Sequence, residues 1–262
     1  MAGWLFKSTM TGTDDFAGKT VLVTGGSRGI GKAIALEFAL CGADIAFNYL
    51  RNHKAATETQ QQIEALGVRC LKVRAHLGDS DKIRDLFQKV DVEFGKLDIL
   101  VNNAASGVNV PVTELEEKHW DWTMNINAKA AWLCAVEASK LMTDGGHIVN
   151  VTSEGSRKVL PNYFSVGTSK AALEAVSRYL AVELAPNGIS VNAVSGGYIE
   201  TAALDAFAGK EEMLEMGKQT LTGRMVTVED IAKTVAFLCS PDAHMIRGQI
   251  ILVDGGATLR AH

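Results

Sequence analysis

The chain has 262 residues, of which 47% are hydrophobic and 21% are charged, an ordinary composition for a globular protein with a sizeable core. Its formal net charge of −4, without a basic block or stripe, argues against a protein that binds nucleic acid or a membrane surface. No apolar run approaches the ~20 residues of a membrane-spanning helix, and no signal peptide is recognisable. Four scattered cysteines without a CxxC pair predict reduced thiols in a cytoplasmic protein, with neither disulfides nor a metal site.

Short apolar runs alternate with helical patterns along the chain. Strands are predicted at 19–24, 44–49, 68–75, 97–101, 146–151, 190–194 and 249–253. Helices are predicted at 30–40, 54–66, 81–94, 116–142, from about 163 to 184, at 200–219 and at 228–239. Continuously apolar strands that alternate with helices indicate a parallel sheet covered on both faces. We therefore predict one doubly wound α/β domain over residues 18–262, after an N-terminal tail of residues 1–17.

The turn after the first predicted strand is rich in glycine and reads Thr24-Gly25-Gly26-Ser27-Arg28-Gly29-Ile30-Gly31. Glycines let the backbone turn sharply and let phosphate oxygens approach the amides at a helix N-terminus, where the dipole is positive. Because the turn follows a strand and opens a helix in the first βαβ unit, it predicts a dinucleotide site in a Rossmann-type fold. The expected cofactor contacts are Gly25, Ser27, Arg28, Gly29, Ile30 and Gly31.

The end of the second predicted strand distinguishes between the two nicotinamide cofactors. A carboxylate there would bind the ribose 2′-hydroxyl and repel a 2′-phosphate. This strand instead ends Asn48-Tyr49-Leu50-Arg51-Asn52, without a carboxylate. Arg28 and Arg51, with the amide of Asn52, could hold a 2′-phosphate through charge-assisted hydrogen bonds. The sequence therefore favours NADPH, although solvated arginines without a ligand are the alternative.

A third sequence pattern, over residues 153–170, is suited to proton transfer. Tyr163 precedes Lys170 by seven residues, and Val166 lies one turn before the lysine. On a helix of about 100° per residue, these three positions share one face. Ser153 ends the fifth predicted strand nearby, and a phenol and an ammonium beside a hydroxyl are suited to acid–base chemistry. From these residues alone, an amphipathic helix whose aromatic side chain covers the core is an equal alternative.

Further motifs follow in a fixed order: Asn102-Asn103-Ala104-Ala105, Asn125-Ile126-Asn127, the segment 191–201, and Asp254-Gly255-Gly256. With the glycine turn, they resemble the short-chain dehydrogenase/reductase family over residues 18–256. The resemblance implies that Ser153, Lys170 and Asn127 are catalytic. It also implies cofactor contacts by His76, Leu77, Asn103, Ala104, Lys170, Gly197, Ile199 and Thr201. His76 stands where an aspartate is common, and a plain surface histidine is the alternative there.

The chain departs from the usual family pattern at two further positions. Gly196 replaces a proline, and Val166 replaces the tyrosine of Tyr-x3-Lys, although valine can neither donate nor accept a proton. The Tyr163–Lys170 spacing, Tyr-x6-Lys, resembles enoyl-acyl carrier protein reductases, and the neighbouring motifs resemble their type III subgroup. This resemblance implies hydride transfer from NADPH to C3 of a 2-enoyl thioester, carried on acyl carrier protein or coenzyme A in fatty-acid elongation, by a homotetramer. The alternatives are an NADPH-dependent carbonyl or ketoacyl reductase of secondary metabolism and a non-catalytic cofactor-binding regulatory protein.

The tyrosine spacing fits the chemistry of an enoyl thioester. Hydride addition at C3 builds negative charge on the thioester oxygen, two bonds beyond, so an oxyanion donor must lie further out than in a ketoreductase. Moving the tyrosine by one helical turn shifts it by about 5 Å. We assign Tyr163 to enolate stabilisation, Lys170 to holding the cofactor and favouring ionisation of the phenol, and Ser153 and Asn127 to support. Residues 200–221 are either a substrate lid or an ordinary packed helix.

Overall fold

The computed structural model describes residues 15–199 and 210–259. In the described chain, seven parallel strands form one sheet in the order β3-β2-β1-β4-β5-β6-β7. The strand bounds are Thr20–Val23 (β1), Asp44–Tyr49 (β2), Cys70–Arg74 (β3), Ile99–Asn102 (β4), Gly146–Ser153 (β5), Ile189–Gly196 (β6) and Ile250–Val253 (β7). The predicted doubly wound parallel sheet is confirmed.

The α-helices of the described residues cover both faces of this sheet. Their bounds are Gly29–Leu40 (α1), His53–Glu64 (α2), Ser80–Phe94 (α3), Glu117–Met124 (α4), Ala130–Leu141 (α5), Phe164–Glu183 (α6), Lys210–Lys218 (α7) and Val228–Leu238 (α8). No helix of residues 15–199 and 210–259 is long and apolar enough to span a membrane.

The core consists of two apolar layers, one on each face of the sheet. Val21 and Val23 of β1 belong to the layer covered by α1, α2 and α8. Leu22, between them, belongs to the layer covered by α3, α5 and α6. Successive strand residues point to opposite faces of the sheet, and helices exclude water from both faces. Every side chain of β1 must therefore be apolar or hydrogen-bonded. This explains the unbroken apolar runs in the sequence.

Two features differ from the sequence predictions in detail. The single helix predicted at 116–142 is interrupted by a π-helical turn at Asn125–Lys129, and such turns often occur at functional sites. Phe16, which we placed in the tail, is buried, and its ring packs edge-on against Phe38 at 4.9 Å. The proposed lid falls partly on residues 200–209, outside the described residues.

Candidate active site

A cleft of about 970 Å³ opens at the carboxyl ends of the strands, where the strand order reverses between β1 and β4. This is the place where ligands bind in open α/β sheets. The predicted site residues that line it are Gly25, Ser27, Arg28, Gly29, Ile30, Gly31, Arg51, Asn52, His76, Leu77, Asn103, Ala104, Ser153, Tyr163, Lys170, Gly197 and Ile199. Asn127 is not among the lining residues, and Thr201 lies outside the described residues.

The glycine turn favours glycine either by its backbone conformation or by close packing. Gly25 and Gly29 have φ values of +66° and +55°, in the left-handed region that favours glycine. A Cβ on Gly31 would overlap the Asn103 side chain and the Gly25 carbonyl oxygen. Arg28 precedes α1 in an extended conformation, and its side chain does not cap the helix. The first amides of α1 therefore remain available to an anion, and the cradle fits the pyrophosphate of a dinucleotide.

Two side chains that the sequence analysis did not assign to the site hold this turn in place. Asn48, at the end of β2, accepts a hydrogen bond from the Gly25 amide at 2.8 Å and donates one to the Ala75 carbonyl at 3.0 Å. The Thr24 hydroxyl accepts hydrogen bonds from the amides of Asn103 and Ala104 at 2.9 and 3.0 Å. The sequence offered one indication, because an amide replaces the expected carboxylate near the end of β2.

The far end of the cleft carries the predicted 2′-phosphate contacts. Arg28 and Arg51 are exposed there, and among the described residues neither forms an ion pair. Two unpaired guanidinium groups fit a phosphate well. Asn52 is partly committed elsewhere, because its side-chain oxygen caps α2 by accepting a hydrogen bond from the Ala55 amide at 3.0 Å.

Lys170 lies buried on α6, with 5% of its surface exposed. Its Nζ donates a hydrogen bond to the Val151 carbonyl oxygen at 2.7 Å. Burial lowers the pKa of the amine from 10.5 to about 8, because the charged form loses its hydration. The ammonium is therefore held at the floor of the cleft by the end of β5, while remaining largely protonated at neutral pH.

Tyr163 lies just before α6, at its N-cap position, rather than within the helix. The shared helical face that we predicted therefore contains only Val166 and Lys170. The Tyr163 hydroxyl approaches Ser153 Oγ at 3.5 Å. Burial raises the pKa of the phenol despite its hydrogen bond to Ser153. This corrects our expectation that Lys170 favours ionisation: the phenol keeps its proton and is suited to donate a hydrogen bond.

The side chain at the position of the usual family tyrosine is buried. It is Val166, and a Cβ on Gly107 would overlap it. Val166 is not among the residues that line the cleft. Of the cleft tyrosines in the described structure, Tyr163 is the one whose hydroxyl approaches Ser153, in the cleft that Lys170 also lines.

Asn127 is buried in the π-helical turn, and its side chain is fully engaged. Its Oδ1 accepts a hydrogen bond from the Ser106 amide at 2.8 Å, and its Nδ2 donates to the Ser106 carbonyl and to Ser169 Oγ, both at 2.9 Å. These bonds fasten the segment after β4 to α6. The structure therefore gives this side chain a supporting position behind the cleft rather than a position in it.

The cleft also contains residues that the sequence analysis did not identify. Glu154, next to Ser153, is half-buried, and desolvation raises the pKa of its carboxyl group. An apolar part of the lining consists of Trp122, Ile126, Leu160 and Tyr198. Trp122 and Ile126 are four residues apart, so helical periodicity could have placed them on one face, but nothing in the sequence indicated which face meets the cleft.

Comparison with known proteins agrees with this geometry. A protein-family model described as enoyl-(acyl carrier protein) reductase matches residues 25–258. The 1-cyclohexenylcarbonyl-CoA reductase of Streptomyces collinus is 38% identical over 243 residues, which are 92% of this chain and 87% of that protein. The hydroxynaphthalene reductase-like protein Arp2 of Metarhizium brunneum (strain ARSEF 3297) is 37% identical over 254 residues, covering 92% of this chain and 95% of that protein.

A solved structure shows the same fold over nearly the whole chain. The short-chain dehydrogenase from Burkholderia cenocepacia J2315 in complex with NADP superposes with a TM-score of 0.87 at 34% identity, covering 94% of this chain and 100% of that one. The chain therefore belongs to the short-chain dehydrogenase/reductase family of oxidoreductases.

Proposed function

We propose that this protein is an NADPH-dependent reductase of 2-enoyl thioesters. The observation that carries the proposal is the location of Tyr163, which shares the cleft with Ser153 and Lys170 while Val166 is packed away from it. The matching family model and the 1-cyclohexenylcarbonyl-CoA reductase of Streptomyces collinus support this substrate class. Cofactor choice is supported by the two exposed arginines and by the NADP complex of the Burkholderia relative.

Each residue has a defined task in the proposed mechanism. NADPH, when bound, supplies the hydride that reaches C3 of the enoyl group. The neutral phenol of Tyr163 donates a hydrogen bond to the thioester oxygen, where negative charge develops. Lys170 holds the cofactor through its buried ammonium, and Ser153 orients the phenol. Tyr163, or a water molecule that it orders, delivers the proton to C2.

Replacing Tyr163 by Phe tests this assignment. We expect kcat for crotonyl thioester to fall by about 10²-fold, as for the loss of one oxyanion donor, with the affinity for NADPH nearly unchanged. Tyr49→Phe, which alters a tyrosine on the cofactor side of the same cleft, serves as the matched control. An unchanged kcat in Tyr163→Phe would remove this residue from the mechanism.

A carbonyl reductase is the second candidate, because the Metarhizium relative is named for reduction of hydroxynaphthalenes. The two functions are separated by measuring NADPH oxidation with crotonyl thioester and with acetoacetyl thioester under the same conditions. The proposed function predicts turnover of the first substrate and none of the second. NADPH binding without turnover of either substrate would favour a regulatory, non-catalytic protein.

We further propose that the acyl group is carried by acyl carrier protein or coenzyme A in fatty-acid elongation, and that the protein is a homotetramer. Exposed apolar side chains on α5 (Trp132 and Val136) and on α6 (Tyr179 and Val182) support self-association. Light scattering should give four times the mass of one chain. A monomeric mass would refute this assembly, and an unchanged mass after Val182→Glu would remove this surface of α6 from its interface.

A further inference from the structure

The phenol of Tyr163 is positioned by the segment before α6. Asn162 has a φ value of 58°, and it is the one non-glycine with positive φ among the described residues. Asparagine tolerates this left-handed region better than most residues, but such a conformation persists only where the surroundings fix it. The Tyr163 carbonyl oxygen accepts a hydrogen bond from the Gly167 amide at 2.7 Å, but this backbone bond does not determine where the ring points. Another part of the structure must hold the ring.

The ring lies against the short turn that follows Ser153. This turn, which we name the serine turn, comprises Glu154–Ser156. A Cβ on Gly155 would lie 2.5 Å from both Cδ1 and Cε1 of Tyr163, and a Cβ on Gly167 would lie 2.6 Å from the Gly155 carbonyl oxygen. The ring and the first turns of α6 therefore contact the serine turn directly through its backbone. Any displacement of the serine turn moves the surface on which the ring lies.

Glu174 of α6 fastens the serine turn at its other side. Its buried carboxylate accepts hydrogen bonds from the hydroxyls of Thr152, at 3.2 Å, and Ser156, and it pairs with Arg157 Nε at 3.4 Å. Hydrogen bonds to a carboxylate are stronger than those between neutral groups. Glu174 is not among the residues that line the cleft. It can therefore influence the reaction only through the groups that it holds.

We propose that Glu174 is a positioning residue of the active site: by fixing the serine turn, it sets where the phenol of Tyr163 meets the substrate. The inference rests on the proposed function for the catalytic part of that phenol, but the contact between the serine turn and the ring does not depend on it. Ser177 provides a matched control. It lies three residues further along α6, is equally buried, and accepts a hydrogen bond from Asn150 of β5 at 2.8 Å.

The test compares Glu174→Ala, Glu174→Gln and Ser177→Ala in the full-length protein. We expect Glu174→Ala to lower kcat by at least about 10-fold, because small displacements of a reacting group are costly. NADPH affinity should stay within about twofold, since no cofactor contact is removed. Glu174→Gln retains one acceptor oxygen for Ser156, so its kcat should fall less than that of Glu174→Ala. Ser177→Ala should lower Tm without lowering kcat.

A spectroscopic measurement separates positioning from general destabilisation. The ultraviolet titration of Tyr163 is obtained by subtracting the spectrum of the matching Tyr163→Phe protein. Burial raises the pKa of this phenol, so a ring that has left the serine turn should ionise at lower pH in Glu174→Ala and at the parental pH in Ser177→Ala. Equal losses of kcat in Glu174→Ala and Ser177→Ala, or an unshifted titration in both Glu174 variants, would overturn the proposal.

Failure of the proposed function would give results that differ from those that overturn the positioning proposal. In that case Tyr163→Phe would keep its kcat, while the titration would still report whether Glu174 positions the ring. If Tyr163→Phe is inactive and both Glu174 variants retain parental kcat and titration, the proposed function stands and the positioning proposal falls.

Discussion

Lys170→Met should make the protein more stable while making it inactive. Burial lowers the lysine pKa from 10.5 to about 8, and each pKa unit corresponds to about 1.4 kcal/mol. Burying the charged amine therefore costs about 3 kcal/mol at pH 7. The substitution also removes the hydrogen bond to Val151, a loss of about 1 kcal/mol. Methionine fills a similar volume without a charge, so we expect a net stabilisation of about 2 kcal/mol.

The stabilisation produced by Lys170→Met should depend on pH, and the direction of this dependence follows from the pKa shift. Because the folded state has the lower pKa, between about pH 8 and pH 10.5 the unfolded chain binds a proton that the folded chain does not. The stability of the parent protein therefore rises with pH across this window. Below about pH 8 the amine is charged in both states and the whole penalty is present. The advantage of Lys170→Met should be largest there and should shrink toward pH 10.5.

Urea unfolding of the cofactor-free protein at pH 7 and pH 9.5, followed by tryptophan fluorescence, measures both effects. For a chain of this size, a gain of about 2 kcal/mol corresponds to a rise in Tm of roughly 4–8 °C. Lys89→Met, at an exposed position of α3, is the control and should change neither the stability nor its dependence on pH. Turnover of crotonyl thioester should be lost, and the Kd for NADPH should rise. The reasoning would be refuted if Lys170→Met were less stable than its parent at pH 7. It would also be refuted if the stabilisation relative to the parent were the same at pH 7 and pH 9.5.

Two further predictions concern the cofactor. The double variant Arg28→Ala, Arg51→Ala should weaken NADPH binding by about 10²-fold and NADH binding far less, because only NADPH carries the phosphate and each charge-assisted contact contributes about 1.5–3 kcal/mol. Equal weakening, measured by calorimetry, would mean that the arginines act on the fold or on the shared pyrophosphate. Gly31→Ala should weaken both cofactors alike, since its Cβ would push against Asn103 and Gly25; unaltered affinities would show that the glycine turn adapts.

The amino-acid sequence by itself determined the fold class and the location of the cofactor cleft. Continuous apolar runs required a sheet that is dry on both faces, and the two core layers around Val21 and Leu22 agree with that requirement. The turn at Gly25 and Gly29 was also predictable from the sequence. Both residues have a left-handed backbone, and this conformation favours glycine at the position that adopts it. Such features are local: periodicity and backbone conformation are encoded within a few residues.

Only the tertiary structure decided how the side chains of the site are used. It placed Tyr163 just before the helix, gave Asn127 its partners Ser106 and Ser169 behind the cleft, and raised the phenol pKa that we had expected Lys170 to lower. It also joined Glu174 to Thr152 and Asn48 to Gly25, pairs that are 22 and 23 residues apart. Burial and long-range hydrogen bonds depend on how all the segments pack. The desolvation that shifts a pKa is produced by neighbours from elsewhere in the chain. No short stretch of sequence therefore contains that information.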